Sequence, residues 1–219
     1  EGKLLGALLE GFYENLYRDV VFLNAVQPVQ EIVDAYKSND DESKAVWKDR
    51  LENIFVTMLY SNSEYTQIRY IGVADEGKEI VRVERKFDKI VAVPKPHLQK
   101  KGNAPYFESA VLYGKGGAYF SKVELNRERG QISIPHVPVI RASAPIYDEQ
   151  TGKVFGIIII NVDYRKVASL LRQSMHKGSH LYLANLRGDF LVHPDQEKTF
   201  GFDLGTSFKM QDEFPALAE

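Results

Sequence analysis

The sequence contains no cysteine, which excludes disulfide bonds and thiolate chemistry. It has no long apolar run either: the most hydrophobic stretch, from Val154 to Ile160, is far shorter than the ~20 residues of a membrane-spanning helix. The net charge is -2 and no segment is strongly basic, which argues against a nucleic-acid surface. What remains is a globular composition, with room for one large domain or for one domain and part of another.

The motifs of common enzymes are also missing. The histidines lack a metal-binding spacing such as HExxH, and no serine has the flanking glycines of G-x-S-x-G. The stretch GKGGAY, from Gly114, has no Lys-Ser/Thr after it and therefore is not a phosphate-binding loop. His193 is most simply part of a turn after a strand. We therefore expect no catalytic activity, no metal and no cofactor in this chain.

The N-terminal third is predicted to be helical. Apolar residues recur every three or four positions over residues 5–23, which is typical of a long amphipathic helix. Pro28 interrupts this helix, and a second helical stretch follows. A third helix is predicted over residues 45–60, with Asp41 or Ser43 as its N-cap.

The period changes to two at Tyr65, which predicts a hairpin with the turn at Asp75 and Glu76. This turn aligns one apolar face, which we assign to the core. That face consists of Ile68, Tyr70, Val81 and Val83.

The opposite face of the hairpin is charged. The same pairing sets Arg69 opposite Arg82 and Gln67 opposite Glu84. Two arginines so placed repel each other unless an anion lies beside them. Two explanations stay open: the arginines bind an anionic ligand, or Glu84 and Glu64 neutralise them. A one-residue change of register would separate the two arginines.

The stretch GKVFGIIIINVDY, from Gly152 to Tyr164, reads as the central strand of an antiparallel sheet, paired with a long strand predicted over residues 132–148. Alternation then separates two faces. The apolar face consists of Ile140, Ala142, Ile158 and Ile160. The polar face consists of Arg141, Ser143, Asn161 and Asp163.

Three further elements complete the prediction. Asn103 is expected to cap a short helix with Pro105 in its first turn, and a strand is expected over residues 117–125. An amphipathic helix over residues 164–175 is followed by a hairpin with an Asn…Gly turn, over residues 180–196. This second hairpin suggests a smaller module of the same design, truncated within the remaining residues.

These residues suit the recognition of a small carboxylate. Arginine side chains provide a fork of donors for the anion, and aromatic rings provide the walls. The candidate residues are Arg69, Arg82, Tyr106, Tyr119, Ser121, Arg141, Ser143, Asn161 and Asp163. Two alternatives stay open: Tyr119 packs as an ordinary strand residue, or Arg141 only pairs with Asp163 inside the sheet.

The order of these elements resembles a double Cache domain, a tandem PAS-like sensor of bacterial histidine kinases, diguanylate cyclases and chemoreceptors. The resemblance rests on QIRYIGVADEGKEIVRV, APYFESA, AYFSKVELN, VPVIRASAPIYDEQTGKVFGIIIINVDY and GDFLVHPDQEKTFGFDLG. It implies an α+β fold: a stalk helix over residues 1–37, a membrane-distal ligand-binding module over 38–175, and the start of a membrane-proximal module over 176–219.

The resemblance also implies a function and a location. We expect the extracytoplasmic, periplasmic part of a bacterial inner-membrane receptor, anchored by flanking segments, since the chain starts at Glu1 without Met or signal peptide. The output module is expected to be a kinase or a cyclase. Dimerisation through the N-terminal helix is expected, and a ligand-free interaction module is the competing interpretation.

The sequence departs from the amino-acid binders of this family at two places. Where they carry Arg-x-Trp-Tyr, this chain has residues 104–107, which keep an aromatic pair at Tyr106 and Phe107 but lack the arginine. Where they carry an aspartate on the last strand, this chain has Asn161. An α-amino group would lose its carboxylate partner, which favours an organic acid as ligand over an amino acid.

Overall fold

The computed structural model describes residues 2–87, 89–128 and 130–217. The chain forms two compact units. The first contains residues 2–12, 123–128, 130–139 and 163–217, and the second contains residues 13–87, 89–122 and 140–162. We call them the terminal unit and the sheet unit. Their bounds do not coincide with the predicted division at residues 37 and 175, because each unit is assembled from segments that are distant in sequence.

Three helices open the chain: α1 (Gly2–Ala25), α2 (Gln27–Lys37) and α3 (Asp41–Ser61). Pro28 lies in the first turn of α2, where the missing N–H has no helical partner to lose. The predicted N-cap of α3 is wrong: Asp40 caps the helix, because its backbone is extended and its carboxylate accepts a bond from the Ser43 N–H at 3.0 Å. None of the helices in the described residues is both long and apolar enough to cross a membrane.

The sheet follows, with one short helix beside it. Its hairpin is β1 (Tyr65–Gly72), the turn α4 (Ala74–Gly77) and β2 (Glu79–Lys86). The other elements are β3 (Lys89–Ala92), α5 (Pro105–Val111), β4 (Tyr119–Phe120), β5 (Glu124–Leu125), β6 (Arg127–Glu128), β7 (Gln131–Ile132), β8 (Pro138–Tyr147) and β9 (Val154–Asp163). The strand order is β3-β2-β1-β9-β8-β4, and β5 also pairs with β8. The isoleucine strand β9 is therefore central, as predicted.

The predicted hairpin register is confirmed: Ile68 pairs with Val83, Tyr70 with Val81, and Arg69 with Arg82. Its apolar face is buried and lies against the helices. The Tyr65 hydroxyl donates to Asp19 of α1 at 2.6 Å, and α3 contacts β1, β2 and β3. The buried members are Ile68, Tyr70, Val81, Val83, Ile158 and Ile160. The mixed α+β fold, with a long N-terminal helix and an antiparallel sheet, is confirmed.

Three local predictions are wrong. The strand predicted over residues 117–125 is interrupted between β4 and β5, and the strand before β9 starts only at Pro138, after the small β6–β7 hairpin. Arg129 lies outside the described residues. Asn103 is not an N-cap: Ala104 takes this position in α5, with no side-chain bond, and Pro105 follows it.

The terminal unit has its own small core. Its elements are α6 (Tyr164–Gln173), β10 (Leu183–Ala184), β11 (Phe190–Val192), α7 (Gly201–Leu204) and α8 (Met210–Glu213). Strands β10 and β11 pair antiparallel around a turn from Asn185 to Gly188, as predicted. Leu171, Leu181 and Val192 form the buried cluster of this unit with Ala168.

Candidate functional site

The polar face of the sheet unit buries three arginines from three strands. Arg69 of β1, Arg82 of β2 and Arg141 of β8 expose only 3%, 6% and 4% of their surface. A guanidinium cannot lose its charge in a protein, so its burial requires compensating hydrogen bonds or charges. The sequence predicted that these side chains share a face, and its pairing of Arg69 with Arg82 is confirmed.

A hydrogen-bonded ring connects two of these arginines across β9, β1 and β2. Arg69 donates to Asn161 at 3.1 Å and to Glu79 at 3.4 Å. Arg82 lies 3.7 Å from Glu79 and donates to Glu84 through Nε at 3.0 Å. Gln67 closes the ring: it donates to Glu84 at 3.1 Å and accepts from Asn161 at 3.5 Å. The carboxylates therefore separate the facing arginines. Glu84 was predicted for this role, and the second acid is Glu79 rather than Glu64.

Glu79 lies on the polar face because of a β-bulge. Tyr70 pairs with Val81 but Ile71 pairs with Glu79, so Ile80 has no opposite residue and the side-chain alternation reverses. Regular alternation would have put Glu79 on the apolar face, beside Val81. Sequence reasoning therefore missed this residue, although an acid two positions after the turn was visible in the chain.

Glu79 also attaches the segment that leads to α5. Its second carboxylate oxygen accepts the Gln99 N–H at 2.8 Å. Next to it the backbone makes a tight crossing: a Cβ built on Gly77 would lie 2.3 Å from the nitrogen of Gly102, so only glycine fits there. The segment after Gly102 is thus held against the edge of the hairpin, and α5 begins three residues later.

Tyr106, in the first turn of α5, reaches the arginines. Phe107 and Ala110 of α5 pack on Ile157 and Ile159 of β9, and this packing fixes the helix over the polar face. The Tyr106 hydroxyl accepts a hydrogen bond from Arg69 at 3.0 Å. The Tyr106 ring centroid lies 5.3 Å from the Arg69 guanidinium carbon and 5.1 Å from that of Arg141. One ring therefore makes cation–π contacts with two arginines.

Arg69 keeps one donor unused. Its Nε is buried and has no hydrogen-bond partner among the described residues. Burial alone would lower the pKa of Arg69, but the Tyr106 hydroxyl and the Glu79 carboxylate outweigh this effect and raise its pKa. The group is thus a permanent buried cation with an unsatisfied N–H, an arrangement that costs about 1–3 kcal/mol without an acceptor.

The remaining candidates are placed as follows. Tyr119 packs at the edge of the cluster that holds α5, and it pairs with the buried Ser143 of β8. Ser121 accepts the Arg141 backbone N–H at 3.0 Å through its hydroxyl. Asp163 ends β9 and caps α6, and its carboxylate accepts three bonds from the Arg165 side chain at 2.6, 2.9 and 3.1 Å. Asp163 thus has a structural role in the terminal unit.

The described site can therefore hold an anion. It offers guanidinium donors in a buried setting, a tyrosine hydroxyl and an aromatic wall, the combination that recognises carboxylates. Among residues 2–87, 89–128 and 130–217, no group of three or more His, Cys, Asp or Glu is arranged to hold a metal ion.

Known structures share this fold. A domain of a protein assigned to the sensory box/GGDEF family, from Vibrio parahaemolyticus, superposes with a TM-score of 0.81 at 22% identity, over 99% of this chain and 78% of the other. The extracellular domain of a protein assigned as the histidine kinase vpHK1S-Z8 gives 0.78 at 21%, over 99% and 74%. The ligand-binding domain of the Campylobacter jejuni chemoreceptor Tlp3, in complex with 4-methylisoleucine, gives 0.63 at 14%, over 89% and 67%.

Sequence comparison gives the family directly. No curated protein sequence matches the chain significantly. The family described as "Bacterial histidine kinase, sensor domain" matches residues 16–217, which is nearly the whole chain. The predicted resemblance to bacterial sensor domains is confirmed, and the chain belongs to the family of bacterial histidine kinase sensor domains.

Proposed function

We propose that this chain is the extracytoplasmic sensing domain of a membrane receptor and that it binds a small organic anion on the polar face of the sheet unit. The binding residues are Arg69, Arg82, Arg141, Tyr106 and Asn161. They are supported by Tyr119 of β4, by Ser121 directly after β4, and by Ser143 of β8. The domain itself carries out no catalysis, and the signal passes to an attached output module, a kinase or a cyclase.

The buried and unsatisfied Nε of Arg69 carries this proposal. A protein that needed only a stable sheet would gain as much from apolar residues at these positions, since buried ion pairs rarely add net stability. A ligand carboxylate would supply the missing acceptor, next to the Tyr106 ring. The arrangement is therefore what a binding site would show before its ligand supplies the acceptor.

An amino acid is the second candidate, because the similar Tlp3 domain was solved with 4-methylisoleucine. An amino-acid ligand needs an acceptor for its ammonium group. The two carboxylates on the polar face, Glu79 and Glu84, already contact Arg69 and Arg82. The strand position expected to hold an aspartate is Asn161. These contacts favour an acid that carries no ammonium group.

The location and assembly belong to the same proposal. The vpHK1S-Z8 domain is described as extracellular, and a domain of the chemoreceptor Tlp1 as periplasmic. We infer a similar location here, with the chain anchored by flanking membrane segments. Pairing of two copies through α1 remains a prediction, and sedimentation of the purified chain at several concentrations would test it.

Thermal unfolding in the presence of small acids tests the ligand class. The panel contains acetate, pyruvate, lactate, succinate and malate, with isoleucine to represent amino acids. A ligand at 100 times its Kd adds roughly 2.7 kcal/mol to the free energy of unfolding. We expect one or more acids to raise the melting temperature, and isoleucine to have no effect.

Two variants show whether the shift comes from this site. Arg69→Lys keeps the charge but loses the planar fork, and it should abolish most of the ligand-induced shift. Arg18→Lys is the matched control, because Arg18 is exposed on α1 and pairs with the exposed Glu14. Equal shifts in both variants would reject the site. Unchanged melting across the panel would favour a ligand-free interaction module.

A further inference from the structure

The terminal unit contains a cleft of its own, which the proposed function does not use. Its volume is about 250 Å³, and it lies against α6, β11 and the segment that follows β11. All of the residues that line it belong to the terminal unit. The cleft is therefore a feature of this unit alone, independent of the arginine face.

The charge of the cleft is one-sided. Its fourteen lining residues in the described chain include two arginines and two histidines, but no aspartate or glutamate. Arg165 is held by Asp163, so its charge is largely compensated. Arg172, in the last turn of α6, has no ion pair or side-chain hydrogen bond among the residues that the structure describes. One cation at the cleft is thus available to a ligand.

The histidines contribute differently. His193 is buried and both ring nitrogens are engaged: Nδ1 accepts the Asp195 N–H at 2.9 Å, and Nε2 lies 3.0 Å from a Glu213 oxygen. His193 is therefore a fixed wall. His136 is exposed and presents a second polar group at the cleft.

The other walls are apolar. Leu125, Pro138, Ala168, Val192 and Phe200 line the cleft and are all buried. The volume is below the ~300–1,000 Å³ of pockets that bind drug-sized molecules, so only a small ligand fits. A short apolar body with one negative end matches walls of this kind and the cation of Arg172.

We propose that this cleft is a second binding site, for short-chain monocarboxylates, with Arg172 as the residue that binds the carboxylate. The apolar tail lies against Ala168 and Val192. The sensor domain then has two anion sites of different character: a face with three buried arginines in the sheet unit, and a cleft with an exposed arginine in the terminal unit.

Amide chemical shifts of the full 219-residue chain test this proposal. Propionate and butyrate are titrated at constant ionic strength, balanced with chloride. The amides of Leu191 and Thr199 report on the cleft, and those of Asn161 and Tyr106 report on the arginine face. We expect saturable shifts of Leu191 and Thr199. Because the two pairs of amides report on different sites, a failure of the cleft proposal can be distinguished from a failure of the proposed anion site on the arginine face.

A matched pair of variants decides the role of Arg172. Arg172→Gln removes the charge from an exposed position and should raise the Kd of butyrate roughly tenfold, the usual effect of losing a hydrogen bond to a charged group. Arg187→Gln is the control, since Arg187 is exposed in the β10–β11 turn and does not line the cleft. Shifts confined to Asn161 and Tyr106, no shifts at all, or equal affinity in both variants would overturn the second site.

Discussion

The two faces of strand β9 behave in opposite ways although the strand is nearly uniform in sequence. Ile158 and Ile160 lie on the apolar face, opposite Tyr70 and Ile68, and are completely buried. Asn161 points to the other face, where it joins the ring of Arg69, Gln67 and the two glutamates. Alternation along a single strand thus puts the scaffold on one side of the sheet and the proposed binding surface on the other.

The two faces differ in the free energy that their burial contributes to folding. The apolar face gains about 25 cal/mol per Å² of buried surface and contains no buried charge among its described strand residues. The polar face buries three guanidiniums and has to supply carboxylates and amides to hold them, with little net gain. A surface that costs stability and still leaves the Arg69 Nε without a hydrogen-bond partner in the described part of the chain favours the proposed recognition role over a role in folding alone.

The largest loss of stability is expected when Glu79, the carboxylate shared by Arg69 and Arg82, is removed. Glu79→Ala would leave Arg69 and Arg82 without their shared carboxylate and would release the Gln99 N–H. We expect a loss of about 3–5 kcal/mol in the free energy of unfolding, since breaking a buried ion pair strands the opposite charge. Urea denaturation measures this loss.

Glu108→Ala is the control for that change, because Glu108 is exposed on α5. Surface substitutions of this kind usually stay within about 0.5 kcal/mol. A Glu79→Ala variant as stable as the control would mean that the buried arginines do not depend on this carboxylate. The two faces would then differ less in the cost of burying their side chains than the structure indicates.

The next largest effect concerns the apolar face. Ile158→Ala and Ile160→Ala should each cost about 2–5 kcal/mol, since both side chains are fully buried and their truncation would leave cavities. Leu186→Ala serves as the control, because Leu186 is fully exposed. Ligand affinity of the folded fraction should not change in either isoleucine variant. A loss of affinity without a loss of stability would mean that the faces are assigned the wrong way round.

Much of this fold could be predicted from local pattern. The hairpin register followed from one turn, Asp75 and Glu76, because antiparallel pairing is fixed once the turn is known. The central position of β9 followed from its apolar run between polar ends. The N-caps at Asp40 and Ala104 could not be placed, because neighbouring Asp, Ser and Asn residues all have cap propensity and tertiary contacts choose among them.

The candidate site was predicted less completely. Arg69, Arg82, Arg141 and Asn161 share a face because side chains alternate, and alternation is visible in the sequence. Glu79 was missed because the bulge at Ile80 reverses this alternation, and a bulge leaves no reliable trace in a single sequence.

A smaller effect, limited to binding, is expected on β8. Arg141→Gln removes a charge beside the Tyr106 ring while it keeps most of the side-chain length. We expect an acid identified by the thermal screen to bind about 1.5–3 kcal/mol more weakly, as on the loss of a charge-assisted hydrogen bond, with little change in the stability of the free protein. Calorimetric titration and urea denaturation of the same preparation separate these two quantities. A variant that unfolds readily but binds normally would make Arg141 part of the scaffold.

The smallest change in stability is expected at Tyr106, whose hydroxyl oxygen accepts a hydrogen bond while its ring makes the cation–π contacts. Tyr106→Phe keeps the ring between Arg69 and Arg141 but removes the hydroxyl that accepts from Arg69 at 3.0 Å. The free protein should lose about 0.5–1.5 kcal/mol, the usual net value of one hydrogen bond. Tyr113→Phe is the control, since Tyr113 is exposed and its ring also packs on Tyr119.

If the ligand supplies an acceptor to Arg69, its binding should restore part of the stability lost in Tyr106→Phe. The ligand-induced rise in melting temperature should then be at least as large as in the unchanged protein. A smaller rise would indicate that the hydroxyl itself contacts the ligand, and would extend the binding surface from the sheet to α5.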